Sequence, residues 1–378
     1  MIRKSTYKAA HAVATTIEKH FVQHLENAKE QGEQNLIAAP KAEMIEAILD
    51  TAFWASLLKE EGHSPKISLV FLAPDQVESP LLFEQPLPFT SHTLTKLSPG
   101  FERAGIHLGI WHKNGELHVW GATNKIPCYC FVLNIPEPGL LVIKHRRLDE
   151  FGKFTNVAVL NGDEIRIVDE KSALLPDCPS LLTSLLGLRA SSDASVNILV
   201  QLAVSMRAHG RGGSLIIVPS GSDKWRNSIR QPINYSLQPA FSGLSKLINE
   251  KKTHTDRGIW EATLRREIDE VAGLTAIDGA IIMNEKYELL AFGAKIIKAE
   301  GNSLVEKMLV TEPVVGYEGT IIQPGQSGGT RHLSATQFVH DQQDSIALVA
   351  SQDGRFTVFS WSPCAHMVQA HRIEVLLL

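Results

Sequence analysis

Apolar residues recur every three or four positions over the first sixty residues, as Val13, Ile17 and Phe21 and then as Ile45, Ile48, Leu49 and Phe53. At 3.6 residues per turn this spacing lays one stripe along each of two helices. The pattern breaks at residues 64–100, where Pro65, Pro74, Pro80, Pro86, Pro88 and Pro99 predict loop after a short strand-like run at 67–72. Strand-like segments then take over. Residues 106–111 and 117–120 flank Asn114-Gly115, a pair suited to the positive φ angles of a tight hairpin, and this register sets Trp111 opposite His118. A second such pair, Asn161-Gly162, separates residues 157–160 from 164–168, after an apolar run at 139–143.

Residues 176–190 hold Leu, Ser and Pro without strand alternation, and they read as a linker between an α+β domain over 1–175 and a second domain over 191–378. In the second domain Ser191 or Ser192 caps a helix carrying Val196, Leu199, Val200 and Ala203, which Gly210 stops. A buried strand is predicted at 214–218, helices near 241–248 and 255–272 with Gly273 as the stop, and strands at 279–283 and 289–292. A glycine-rich loop, a short helix from Ser334 and strands at 345–350 and 356–361 around Asp353-Gly354 complete it. The whole reads as α/β in the α+β sense: a mixed sheet flanked by helices, preceded by a separate α+β domain.

Composition adds limits. With 378 residues, 44% hydrophobic and 21% charged, the chain can bury two cores, which excludes disordered and collagen-like classes. A net charge of −4 gives no global field for nucleic acid or an anionic membrane, so an anionic ligand needs a local basic site. Arg3, Lys4 and Lys8 are followed by Glu18 and Lys19 instead of an apolar h-region, and no apolar run is long enough to span a bilayer. A cytoplasmic protein without a membrane span is expected, with residues 6–30 the one amphipathic stretch to weigh as a surface anchor. Cys128, Cys130, Cys178 and Cys364 form neither a disulfide framework nor a C-x-x-C pair.

Several motifs read as structure. Gly210-Arg211-Gly212-Gly213 ends a helix and precedes a strand, the reverse of a phosphate loop, and so is a helix stop and turn. Cys128 and Cys130 would share a strand face as buried packing, and His107, His112 and His118 scatter over both faces of a hairpin. Two segments differ. At Asp278-Gly279-Ala280 a carboxylate at a strand entrance, able to hold a metal or accept a proton but equally at home in a turn, precedes two small residues against which a flat ligand can lie. Roughly fifty positions on, Gly325 to Ala335 bring glycine N–H groups, Thr330 and Ser334 hydroxyls and the forked cation of Arg331 to a helix N-terminus, which makes an anion cradle.

Asp278-Gly279-Ala280 followed by Gly329-Thr330-Arg331-His332 resembles, in order, the two marker motifs of the diadenylate cyclase (DAC) domain. The resemblance covers about residues 190 to 361, and the N-terminal half looks like one of the variable sensor domains that accompany DAC domains. It implies condensation of two ATP into cyclic di-AMP with Mg²⁺ or Mn²⁺, in a site between two DAC domains, and therefore a homo-oligomer. By the same resemblance Asp278 holds the metal, Gly279 and Ala280 border the nucleoside, and Gly329, Thr330, Arg331, His332 and Ser334 hold the triphosphate. Asp278, Arg331 and His332 are the catalytic candidates. Leu333 stands where the family usually has a second Arg, and Val339-His340-Asp341 where it has a Ser-Glu pair. Asp341 is then a substitute candidate, with Arg355 or Lys295 available to replace the missing cation. A module that binds ATP or cyclic di-AMP without turnover is the alternative.

Overall fold

A computed structural model describes residues 5–30, 32, 36–146, 154–169, 198–250 and 257–378. They divide into two compact units, one running to Val168 with Leu378, the other from Asp169 to Leu377. The expected linker at 176–190 and the caps Ser191 and Ser192 lie outside the described residues.

The first unit opens with helices α1 (Lys8–Glu30) and α2 (Ala42–Leu57), whose predicted stripes are buried at Val13, Ile17, Phe21, Ile45, Ile48 and Leu49. They pack on the sheet face that carries Leu69, Leu133, Leu141 and Ile143. The eight-stranded sheet runs β2-β4-β3-β1-β5-β6-β7-β8, with β1 (Ser68–Phe71), β2 (Leu81–Pro88), β3 (His107–Lys113), β4 (Glu116–Thr123), β5 (Val132–Glu137), β6 (Leu140–Arg146), β7 (Phe154–Asn161) and β8 (Glu164–Ile167). β1 and β3 are parallel and the other pairings antiparallel. Trp111 pairs with His118 across a turn whose Asn114 and Gly115 have φ of 53° and 79°.

Three expectations fail here. Residues 64–100 are not mainly loop: β2 and helix α3 (Ser91–Phe101) lie within them. Pro86 and Pro88 are tolerated because β2 is an edge strand, where a missing N–H costs no ladder bond, and Pro99 falls in the last turn of α3. The second hairpin turns at Gly162-Asp163, since Asn161 pairs with Glu164 and the left-handed φ of 56° belongs to Gly162. Cys128 and Cys130 precede β5 and share no strand.

The second unit builds a nine-stranded sheet in the order β10-β12-β11-β9-β15-β16-β17-β13-β14. Its strands are β9 (Gly213–Val218), β10 (Tyr235–Phe241), β11 (Ala280–Asn284), β12 (Leu289–Ala294), β13 (Met308–Thr311), β14 (Thr320–Ile322), β15 (Ile346–Ala350), β16 (Phe356–Ser362) and β17 (Met367–Arg372). The helices are α4 (Ile198–Ala208), α5 (Gly243–Glu250), α6 (Arg257–Leu274), α7 (Thr330–Asp341) and α8 (Glu374–Leu377). One apolar layer gathers Leu202, Leu264 and Ile268 with Leu215, Ile281 and Leu348; the other gathers Ala335, Phe338 and Val339 with Ile216, Ile282 and Ala347. The central strands are therefore covered on both faces, which matches their unbroken apolar sequence.

The strand β10, the β13–β14 pair and β17 lie where no strand was predicted, and Phe241 ends β10 instead of starting a helix. Gly273 does not stop α6, which continues through Leu274. The helix expected from Ser334 begins at Thr330, four residues earlier, with Gly329 as its N-cap.

Candidate functional site

Asp278, Gly279, Ala280, Gly329, Thr330, Arg331, His332 and Ser334 all line one open cleft of about 830 Å³ in the second unit. That volume is within the range of about 300–1,000 Å³ typical of small-molecule sites. The cleft sits at the amino ends of the parallel neighbours β9 and β11, with Ser214 and Ala280 in register on its floor. Open α/β sheets more often bind at the carboxyl ends of their strands. Here the N-terminus of α7 and three glycine turns place the polar groups at the opposite end.

Glycines make the close approaches. Gly279 has φ of +119°, and a Cβ there would lie 2.4 Å from the Gly293 carbonyl carbon. Its small size is therefore needed by the turn itself, whatever lies in the cleft. A Cβ on Gly212 would come within 2.9 Å of Arg331 Nη1, and one on Gly328 within 2.7 Å of the His332 ring. The helix-stop reading of Gly210 to Gly213 holds, with φ of 65° at Gly210 and 70° at Gly212, but the turn also gives Arg331 its space.

Arg230, Lys295, Arg331 and Arg355 supply four cationic side chains to the lining, against the carboxylates of Asp278 and Asp353. A chain of net charge −4 thus concentrates positive charge in one concavity. The N-cap Gly329 offers no side-chain acceptor to the first turn of α7, so the positive end of the helix opens where Thr330 and Arg331 begin. The buried Ser327 hydroxyl also lines the cleft and has no hydrogen-bond partner among the described residues.

Asp278 is 93% exposed, and Lys295 Nζ donates to its Oδ2 at 2.5 Å. That hydrogen bond and the Lys295 charge, with a smaller contribution from Arg331, hold its carboxyl below the usual carboxylate range. An ionised carboxylate of this kind is a good hard oxygen donor. Asp278 and Asp353 both lie on the lining, and a carboxylate is the donor type a Mg²⁺ or Mn²⁺ ion takes. His332 is buried beneath the loop, with its ring edge-on to Phe359 and Thr357 Oγ1 3.4 Å from Nε2. Burial, then the Arg372 charge, lowers its pKa and favours the neutral ring.

Asp341 is not at this site. It lies at the far end of α7 and accepts from Ala299 N (2.7 Å), Asn302 Nδ2 (3.0 Å) and Gln337 Nε2 (2.9 Å), so it anchors the loop after β12. Leu333 is 43% exposed and is not part of the lining, whereas Lys295 and Arg355 are. Sequence reasoning assigned no role to Arg230 or Ser327. Arg230 enters because its N–H donates to the Lys295 carbonyl at 2.8 Å, a pairing with no local signature.

Residues 34–124, within the first unit, match the family model described as the probable sensor domain DACNV. The match spans α2 through β4 and stops short of the cleft-bearing unit. No curated protein matches the chain. Among the described residues no helix is long and apolar enough to cross a membrane.

Proposed function

We propose that the second unit is a diadenylate cyclase domain that joins two ATP molecules into cyclic di-AMP, under the influence of the sensor domain in the first unit. The observation that carries this reading is the convergence of both sequence motifs on one cation-lined cleft. In each half-reaction the 3′-hydroxyl of one ATP attacks the α-phosphorus of the other, and the bond to the β,γ-pyrophosphate breaks. Two such steps close the ring and release two pyrophosphates. The charge developing on the phosphoryl oxygens is what Arg331, Lys295, Arg355 and the α7 N-terminus would offset. Gly279 and Ala280 would border the nucleoside.

A Mg²⁺ or Mn²⁺ ion on Asp278, when bound, would lower the pKa of the attacking hydroxyl and neutralise phosphate charge. Asp278 would hold that ion through its carboxylate oxygens. By the resemblance each such domain holds one ATP, so two chains would face each other and the active species would be a homo-oligomer. Incubation of the full chain with ATP and Mn²⁺, followed by chromatography, should yield cyclic di-AMP in a reaction abolished by Asp278→Ala.

One observation favours a second reading, a regulatory module that binds ATP or cyclic di-AMP without turnover: Lys295 already pairs with Asp278, the position a catalytic metal would take. Saturable nucleotide binding with no product would select it. Cyclic di-AMP formation would reject it.

A further inference from the structure

The first unit brings together three imidazoles that no motif announces. His20 and His24 occupy successive turns of α1, and His145 lies near the end of β6. One ring nitrogen from each lies within 4.8 Å of the other two, with His20 and His24 half-buried and His145 buried. Ring centroids are 4.3 Å apart for His20–His24, 5.2 Å for His24–His145 and 6.0 Å for His20–His145.

We infer that His20, His24 and His145 form a binding site for a divalent late first-row transition metal of the Zn²⁺ class. A His pair at i, i+4 presents two nitrogens on one side of a helix, and a third from a facing strand completes three corners of a tetrahedron, with the fourth open to water. Zn–N bonds of about 2.0–2.1 Å place donors roughly 3.3 Å apart, a separation inside the 4.8 Å that bounds the three nitrogens. Imidazole donors without a carboxylate select against Mg²⁺, Mn²⁺ and Ca²⁺.

The surroundings are those of an oriented site. His145 Nδ1 lies 3.4 Å from the Arg146 carbonyl, a contact on the ring of the kind that orients a ligating histidine. Phe21 packs edge-on to His145 and tilts against Phe131, closing the core side with apolar rings. Tyr129 lies 5.4 Å from His145 and 6.3 Å from His24 between centroids. It does so from a φ of 56°, a left-handed conformation that an aromatic residue seldom adopts, held by its N–H donating to the Arg146 carbonyl at 2.9 Å. All three histidines fall outside the stretch that matches the sensor family, residues 34–124, so the site is not conferred by that match.

The test titrates Zn²⁺ into the full chain against a chromophoric chelator. One equivalent should bind, and His24→Ala and His145→Ala should each weaken it by on the order of 100-fold, while Cys364→Ser leaves it unchanged. Failure of the wild type to bind, or undiminished binding by both folded histidine variants, overturns the site. Co²⁺ added to the unmutated protein reads the donor set without a variant. Visible bands of a low-coordinate nitrogen site are expected, and near-ultraviolet thiolate charge transfer would overturn the assignment in favour of cysteine. Neither measurement depends on nucleotide turnover, so this site and the cyclase reading stand or fall separately.

Discussion

Both units lay helices on a mixed sheet and both bury a histidine whose ring is pushed toward its neutral form, but the second also gathers charged side chains at an open cleft. In the first, burial pushes the His107 ring down to about 4, with the Lys144 charge adding to the effect, takes Lys144 down to about 8, and raises the Cys130 thiol to about 12. Each moves toward its neutral form because burial strips water from the charged one. In the second unit Asp278, Lys295 and Arg355 stand at the open cleft with Arg331. The difference lies in solvent: burial drives a group toward its neutral form, whereas an open cleft leaves a group its charge.

The largest expected effect breaks that contrast at the cleft. Asp278→Asn removes the charge but keeps the shape, and because the side chain is 93% exposed, melting of the protein should barely move. Under the cyclase reading, turnover of ATP should fall by roughly 1,000-fold. An unchanged rate of cyclic di-AMP formation would remove Asp278 from the chemistry. Gly279→Ala acts on the fold instead. Its φ of +119° and the 2.4 Å approach to Gly293 should cost about 3 kcal/mol, read as a lower unfolding midpoint.

Acid should affect both units through one mechanism. His107 is held neutral at about 4 with Ser68 Oγ 2.6 Å from Nδ1; His371 is likewise held at about 4, with Thr311 Oγ1 2.7 Å away. Below the ordinary histidine value of 6.5 the unfolded chain takes up a proton that the folded chain refuses, so the stability each site contributes is complete above pH 6.5 and is lost as pH falls toward 4. At pH 5 each should have lost about 2 kcal/mol. Melting temperatures of His107→Gln and His371→Gln should decline less steeply than wild type between pH 7 and 5; parallel slopes would refute the assignment.

How much of this the sequence revealed depended on how local the signal was. The α1 and α2 stripes, the Asn114-Gly115 hairpin and the apolar central strands rest on contacts within a few residues, and they were legible. β2 and β10 were not, because Pro86, Pro88 and Pro239 argue against strand unless the strand is known to be an edge, and edge position is a tertiary fact. The same divide runs through the sites. Two compact motifs carried most of the predicted cleft residues, whereas Arg230 reaches the cleft by a backbone pairing with Lys295. The three-histidine cluster joins positions 20 and 24 to position 145, and no spacing rule spans that gap.

The smallest expected effect is also the most discriminating for the cleft. Leu333 replaces a cation in the resembled family, but on α7 it is exposed and turned away from the lining of its own chain. A guanidinium at 333 would therefore add nothing to nucleotide held by that chain. Leu333→Arg should change melting by less than about 0.5 kcal/mol of stability, as for a surface helix position, and leave ATP affinity within about twofold. If two clefts face each other in catalysis, the added cation could act only across the pair, so any gain must appear in cyclic di-AMP formation and rise with protein concentration. A gain in ATP affinity at concentrations where the protein is monomeric would instead place residue 333 within its own cleft, and would contradict the geometry of α7.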